Sequence, residues 1–253
     1  MPAKTAEASG GIVRVAGSEA TYGLRFIRQQ RRRILLVFLG VLLPLMVFAA
    51  LVDELREGDV FFFDAPLLLA LHQTTTPAVD RFFLVVSKLG YHWGVVPLDI
   101  GIVAWLVWHR HFRDGLFFGL AVGGAAILNL AAKGHFTRIR PDLWLSLAPE
   151  TTFSFPSGHA MGSATLGVAL TMMLWRTHWR WPVAAAAFAF IVLVGLSRVY
   201  LGVHYPSDIL AGWTAGTAWV VAMHQLVAHR APKPPSTREV PAAPDLIVKS
   251  TQT

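Results

Sequence analysis

Three short segments of the chain carry residues whose types and spacing could do chemistry. The most concentrated is SRVYLGVHYPSD at 197–208, which holds Arg198, His204 and Asp208 between two apolar stretches. A carboxylate near a histidine fixes the imidazole tautomer and steadies the imidazolium, the basic unit of an activated imidazole. An Arg, a His and an Asp at a membrane boundary are costly unless they pair or face water. The second segment is KGHFTRIRP at 133–141, with Lys133 and Arg140, and the third is PSGH at 156–159. A phosphate would employ every part. Lys133, Arg140 and Arg198 supply three positive charges, and guanidinium forks match phosphate oxygens in pairs. PSGH opens a helix, so its free N–H groups and positive dipole end can receive an anion. Gly158 lets the backbone approach closely and the Ser157 hydroxyl can donate a further bond. His159 and His204 then divide the acid and nucleophile roles of a phosphoryl transfer that needs no metal.

Taken singly, each segment has an ordinary explanation. Cations at helix ends snorkel to the interface, and Arg138, like Lys133 and Arg140, fits that pattern. PSGH alone is a turn before a helix; His72, His92 and His135 are unremarkable, and HRH at 109–111 reflects topology. The three segments argue for a site only if the intervening elements bring them to one face.

Those elements are apolar. Of the residues, 54% are hydrophobic and 15% charged, and mean hydropathy is +0.51, which places the chain among membrane proteins. The first apolar run, 34–52, is long enough to span a bilayer, with Pro44 free to kink it. Further spans are expected at about 92–109, 115–132, 158–175, 182–196 and 207–227. Asp99 is the acid inside the second of the six. Between the first two spans, VFFFDAPLLLALH at 60–72 is too short to cross and is interrupted by Asp64 and Pro66. It is expected to lie in the interface or to re-enter, followed by a TTTP helix cap and a short amphipathic piece at 78–89. The expected organisation is a basic tail over 1–33, a membrane domain over 34–227 and a Pro-rich disordered tail over 228–253. The fold class is all-α, a six-span helical bundle.

Six spans put both termini on one side. Fifteen of the 22 Lys and Arg fall on that side and seven on the other, so the termini are expected to be cytoplasmic. The segments 133–141, 156–159 and 197–208 then share the outer face. The net charge of +7 reflects this topology, since no basic patch laced with aromatics suggests nucleic acid. Cysteine is absent, which excludes disulfides, a thiolate nucleophile and thiolate metal sites.

With these residues in place, the chain resembles the type 2 phosphatidic acid phosphatase family, integral membrane phosphatases that share an active-site plan with vanadium haloperoxidases. The family pattern K-x6-RP, PSGH, SR-x5-H-x3-D is met by Lys133, Arg140 and Pro141, by Pro156, Ser157, Gly158 and His159, and by Ser197, Arg198, His204 and Asp208. The resemblance implies that His204 attacks phosphorus and becomes a phosphohistidine, oriented by Asp208. It implies that His159 protonates the leaving oxygen and later activates water. Lys133, Arg140, Ser157, Gly158 and Arg198 would hold the phosphate. No metal or other cofactor is expected. The implied substrate is a membrane lipid phosphate or diphosphate, with undecaprenyl diphosphate preferred because the expected active face is extracytoplasmic. Phosphatidic acid and phosphatidylglycerol phosphate are the alternatives. The expected location is the bacterial inner (plasma) membrane. Two rival readings are an anion or lipid transporter, which would show paired broken spans in repeated halves, and a soluble haloperoxidase.

Overall fold

Apolar periodicity without strand alternation leads to helices throughout. In a computed structural model of the chain, which describes Arg31 and residues 34–58 and 61–227, every regular element is a helix. The tails expected at 1–33 and 228–253 lie outside the described residues, Arg31 excepted. Helix α1 runs over Ile34–Glu57 and contains a π-turn at Phe38–Leu42 immediately before Pro44. Proline lacks an N–H and its ring crowds the preceding turn, and the wider π-turn relieves that clash. After it come α2 (Asp64–His72), α3 (Pro77–Leu89), α4 (Val95–Trp108), α5 (Phe112–Phe136), α6 (Gly158–Leu174), α7 (Arg180–Tyr200) and α8 (Pro206–Val227). Thr76 caps α3 by accepting a bond from the Val79 N–H, as TTTP foretold.

Three helices, α1, α5 and α7, are long and apolar enough to cross a membrane. Helix α4 has 14 residues, and at 1.5 Å per residue it is about 21 Å long. Helices α6 and α8 are central, and each packs against several others. Their buried faces carry small residues that let backbones approach. A Cβ on Gly212 would lie 2.7 Å from the Ser157 carbonyl oxygen, and one on Gly216 would lie 2.8 Å from that of Met161. The α6–α8 contact therefore depends on glycine at both positions. Outward-facing side chains are large and apolar, among them Met46, Ile127, Leu130 and Phe188. Such a belt on a helical bundle suits hydrocarbon rather than water.

The helices alternate in direction, so their ends gather into two layers. At one end Arg113 of α5 bonds the Val227 carbonyl of α8 at 2.9 Å. At the other, the rings of Tyr91 and His159 lie 5.0 Å apart, and Arg56 of α1 approaches His135 of α5 at 3.5 Å. This second end also holds the α5 C-terminus, the α6 N-terminus and the α7–α8 corner, which are the three segments singled out in the sequence.

Two boundaries differ from expectation. Helix α7 continues to Tyr200, so Arg198 stands in its last turn rather than in a connecting loop, and α5 continues to Phe136, so Lys133 is likewise helical. Asp64 does not interrupt its segment. It occupies the first turn of α2, where a carboxylate favours the helix dipole, and it is buried.

Candidate active site

Pro206 fixes the start of α8, so His204 precedes the helix and Asp208 lies in its first turn. Both are fully buried. His204 Nδ1 lies 3.3 Å from Asp208 Oδ2, while Arg140 Nη1 lies 3.0 Å from the opposite nitrogen, Nε2. Arginine can only donate, so Nε2 must present its lone pair and Nδ1 must carry the proton, directed at Asp208. Burial, with the Arg140 and Arg198 charges adding to it, pushes the His204 pKa well below the ordinary imidazole value. The result is a neutral imidazole in one tautomer whose Nε2 lone pair faces the Arg140 guanidinium.

Asp208 is held from several directions. Its Oδ2 accepts the Tyr205 N–H at 2.8 Å and the Ser154 hydroxyl, and its Oδ1 accepts Arg138 Nη1 at 2.5 Å. The Ser157 N–H donates to the Asp208 carbonyl at 3.1 Å, which joins the PSGH turn to the start of α8.

The phosphate-binding candidates converge on the segment 150–153. Arg140 donates through Nε to the Thr152 carbonyl at 2.6 Å and through Nη1 to the Val203 carbonyl at 2.6 Å. Lys133 and Arg140 meet at Thr152 Oγ1, each at 3.0 Å, and Lys133 also donates to the Phe153 carbonyl at 2.8 Å. Arg198 is almost fully buried and donates to Ser87 Oγ and to Glu150. Glu150 also accepts Arg140 Nη2 at 2.7 Å, and its Oε1 lies 4.0 Å from His159 Nδ1. Burial by itself would raise the Glu150 pKa, but Arg198 and Arg140 outweigh it and hold the carboxyl below the usual range.

At the PSGH turn, Ser157 is the N-cap of α6, accepting a bond from the Ala160 N–H at 3.4 Å. Asn129 of α5 clamps the turn through the Pro156 carbonyl at 3.1 Å, and its Oδ1 lies 3.0 Å from where a Gly158 Cβ would be. A side chain at 158 would therefore press on the Asn129 amide, which would have to give by a few tenths of an ångström.

Arg138 is the main correction. It does not snorkel. Its Nη2 pairs with Asp64 Oδ2 at 2.9 Å and its Nη1 with Asp208 Oδ1, and its guanidinium lies 4.2 Å from the Tyr205 ring centroid. Asp64 in turn accepts the Ser207 N–H at 2.9 Å and the Ser207 hydroxyl at 2.6 Å. A network of Asp64, Arg138, Ser207 and Asp208 thus ties α2 to the start of α8. The sequence signal for it is a lone acid, Asp64, in an otherwise apolar segment, which demands a cationic or hydrogen-bonding partner. Glu150, Ser154 and Asn129 also belong to the site, although they lie outside the three-part motif. Glu150 is the one acid between Arg140 and PSGH other than Asp142.

Known proteins resemble this chain over most of its length. The chain is 34% identical over 176 residues to phosphatidylglycerophosphatase B of Bacillus subtilis, covering 68% of this chain and 86% of that protein. It is 27% identical to an undecaprenyl-diphosphatase of Sulfolobus acidocaldarius, covering 71% of this chain and 86% of that one. The crystal structure of a transmembrane PAP2-type phosphatidylglycerolphosphate phosphatase from Bacillus subtilis superposes with a TM-score of 0.64 at 28% identity, covering 72% of this chain and 94% of that one. Aquifex aeolicus LpxE superposes with a TM-score of 0.55 at 25% identity, covering 65% and 96%. The PAP2 superfamily profile matches residues 100–232, which include every element of the three-part motif. The chain belongs to the PAP2 superfamily and is an integral membrane lipid phosphatase of that type.

Proposed function

We propose that the enzyme hydrolyses a lipid phosphate or diphosphate through a phosphohistidine on His204. The observation that carries this is the His204 imidazole held between Asp208 at Nδ1 and Arg140 at Nε2. Nε2 forms a bond to phosphorus while the bond from phosphorus to the leaving oxygen breaks, and Asp208 stabilises the imidazolium that results. His159 donates a proton to the leaving oxygen. It then takes one from a water that attacks the phosphohistidine, releasing phosphate and restoring His204. Arg140, Arg198 and Lys133, with the N–H groups at the start of α6, stabilise the charge on the equatorial oxygens. This set of donors asks nothing of a metal.

The membrane arrangement in this reading has six crossings, α1 and α4 to α8, with the termini cytoplasmic and the site at the extracytoplasmic face of a bacterial plasma membrane. The distribution of Lys and Arg supports it. Helices α2 and α3 lie at the outer interface beside the site. A lipid is favoured over a soluble ester by an apolar cavity of about 330 Å³ lined by Leu45, Phe48, Leu128, Phe136, Pro156 and Trp219, behind the PSGH turn. Phosphatidylglycerol phosphate is the first substrate to test, since the Bacillus subtilis relative bears that activity in its name at the higher identity. Undecaprenyl diphosphate is the second, on the Sulfolobus relative.

The test is phosphate release by the purified protein from a panel of lipid phosphates, with chelator present. Release with a preference for one lipid, blocked by orthovanadate, is expected. Loss of activity on chelation with recovery on adding Mg²⁺ would overturn the mechanism.

A further inference from the structure

The phosphate cradle already contains an anion. Glu150 reaches across it, one carboxylate oxygen on Arg198 and the other on Arg140, with His159 Nδ1 4.0 Å away. Those are the two guanidinium groups assigned above to the equatorial oxygens of the substrate. We propose that Glu150 is an internal stand-in for phosphate, holding the empty cradle together and competing with the phosphoryl group for it. The inference rests on the proposed phosphate site.

Three observations support exchange over a fixed structural bridge. The cations are anchored without Glu150: Arg140 keeps the Thr152 and Val203 carbonyls, Thr152 Oγ1 and His204, and Arg198 keeps Ser87. Glu150 itself is the accessible member, with its side chain 27% exposed against 2% for Arg198. The fit is also incomplete. Arg198 Nε is buried without a hydrogen-bond partner among the described residues. A carboxylate has two oxygens for this cradle, whereas a phosphate presents more and can reach the unused donor.

The energetics give the arrangement a purpose. A buried guanidinium left without an anion is strongly unfavourable, so an empty cradle needs a countercharge. The same cradle would retain inorganic phosphate after hydrolysis. A returning carboxylate lowers the apparent affinity for that product by the fraction of time the cradle stands open. A lipid substrate suffers the same penalty but keeps the contacts of its hydrocarbon chain.

The test is binding of orthovanadate and inorganic phosphate to the full chain in detergent, by calorimetry, comparing wild type with Glu150→Gln and Glu150→Asp. If Glu150 competes, Glu150→Gln binds both anions more tightly, by about tenfold for a cradle closed nine-tenths of the time. Glu150→Asp, one methylene too short to bridge both arginines, falls between. Product inhibition by phosphate rises in parallel. Unchanged or weaker binding in Glu150→Gln would overturn the proposal and make Glu150 a tether for the arginines. A collapse of kcat with unaltered anion affinity would also overturn it, in favour of a direct proton role. Failure of wild type to bind either anion would instead defeat the phosphate-site reading itself.

Discussion

At the residue scale, the asymmetry between the two histidines is the most testable feature. His204 has a carboxylate on one nitrogen and a guanidinium on the other, whereas His159 faces Glu150 and the Tyr91 ring. Replacing His204 by Ala is expected to abolish turnover and any acid-labile phosphoenzyme, measured by trapping with labelled substrate. Asp208→Asn should leave the fold intact and lower kcat by about 10² to 10⁴, the range for an orienting carboxylate. His159→Ala should still accumulate phosphohistidine from p-nitrophenyl phosphate, whose leaving group needs little protonation. The pH profile follows from burial. A depressed pKa keeps His204 free to attack as the pH falls through the ordinary imidazole value of 6.5. The acid limb of kcat/KM is therefore expected below 6.5, and an acid limb centred above it would contradict the assignment.

At the element scale, the decisive contact is between α2 and the start of α8. Asp64 receives Ser207 from α8 and Arg138 from the chain just beyond α5, and Arg138 passes the connection to Asp208. Removing Asp64 leaves Arg138 with Asp208 alone and deprives the buried Ser207 N–H and hydroxyl of their acceptor, which loosens the group that positions Asp208. Asp64→Ala should therefore lower kcat by about tenfold to a hundredfold, as loss of an outer orienting partner does elsewhere. Orthovanadate affinity should stay nearly constant, because Asp64 touches none of the cradle. A fall in vanadate affinity equal to the fall in kcat would make Asp64 a general structural support instead. The α6–α8 pair offers a separate check on stability. Gly216→Leu places a branched side chain against the Met161 carbonyl, and a loss of about 1–3 kcal/mol is expected in denaturant or thermal unfolding in detergent.

At the scale of the whole molecule, alternating helices bring every chemical residue to one end and leave the apolar belt around the middle. The chain has no cysteine, so single cysteines report on topology without background. A cysteine at Leu145, which is 95% exposed near the site, should react with an impermeant maleimide in intact cells. One at Thr177, in the turn between α6 and α7, should react only after lysis. The reverse pattern would invert the orientation proposed above.

Much of this was legible in the sequence because the signals are local. Long apolar runs dictate helices whatever surrounds them, and PSGH and HYPSD carry their own capping and turn chemistry, so His159, His204 and Asp208 could be placed on helix starts from neighbouring residues alone. Spacing of four residues between His204 and Asp208 was enough to pair them. The tertiary structure decided what depends on distant partners. Arg138 looks like any cation at a helix end until Asp64, 74 positions earlier, is folded against it. Asp64 looks like a break in an apolar segment until Ser207 and Arg138 surround it. Glu150 lies in a loop with no periodicity to read, and its meaning arises only where Arg140 and Arg198 meet. A buried charge is defined by the partners that compensate it, and those are supplied by packing between elements, which no local pattern encodes.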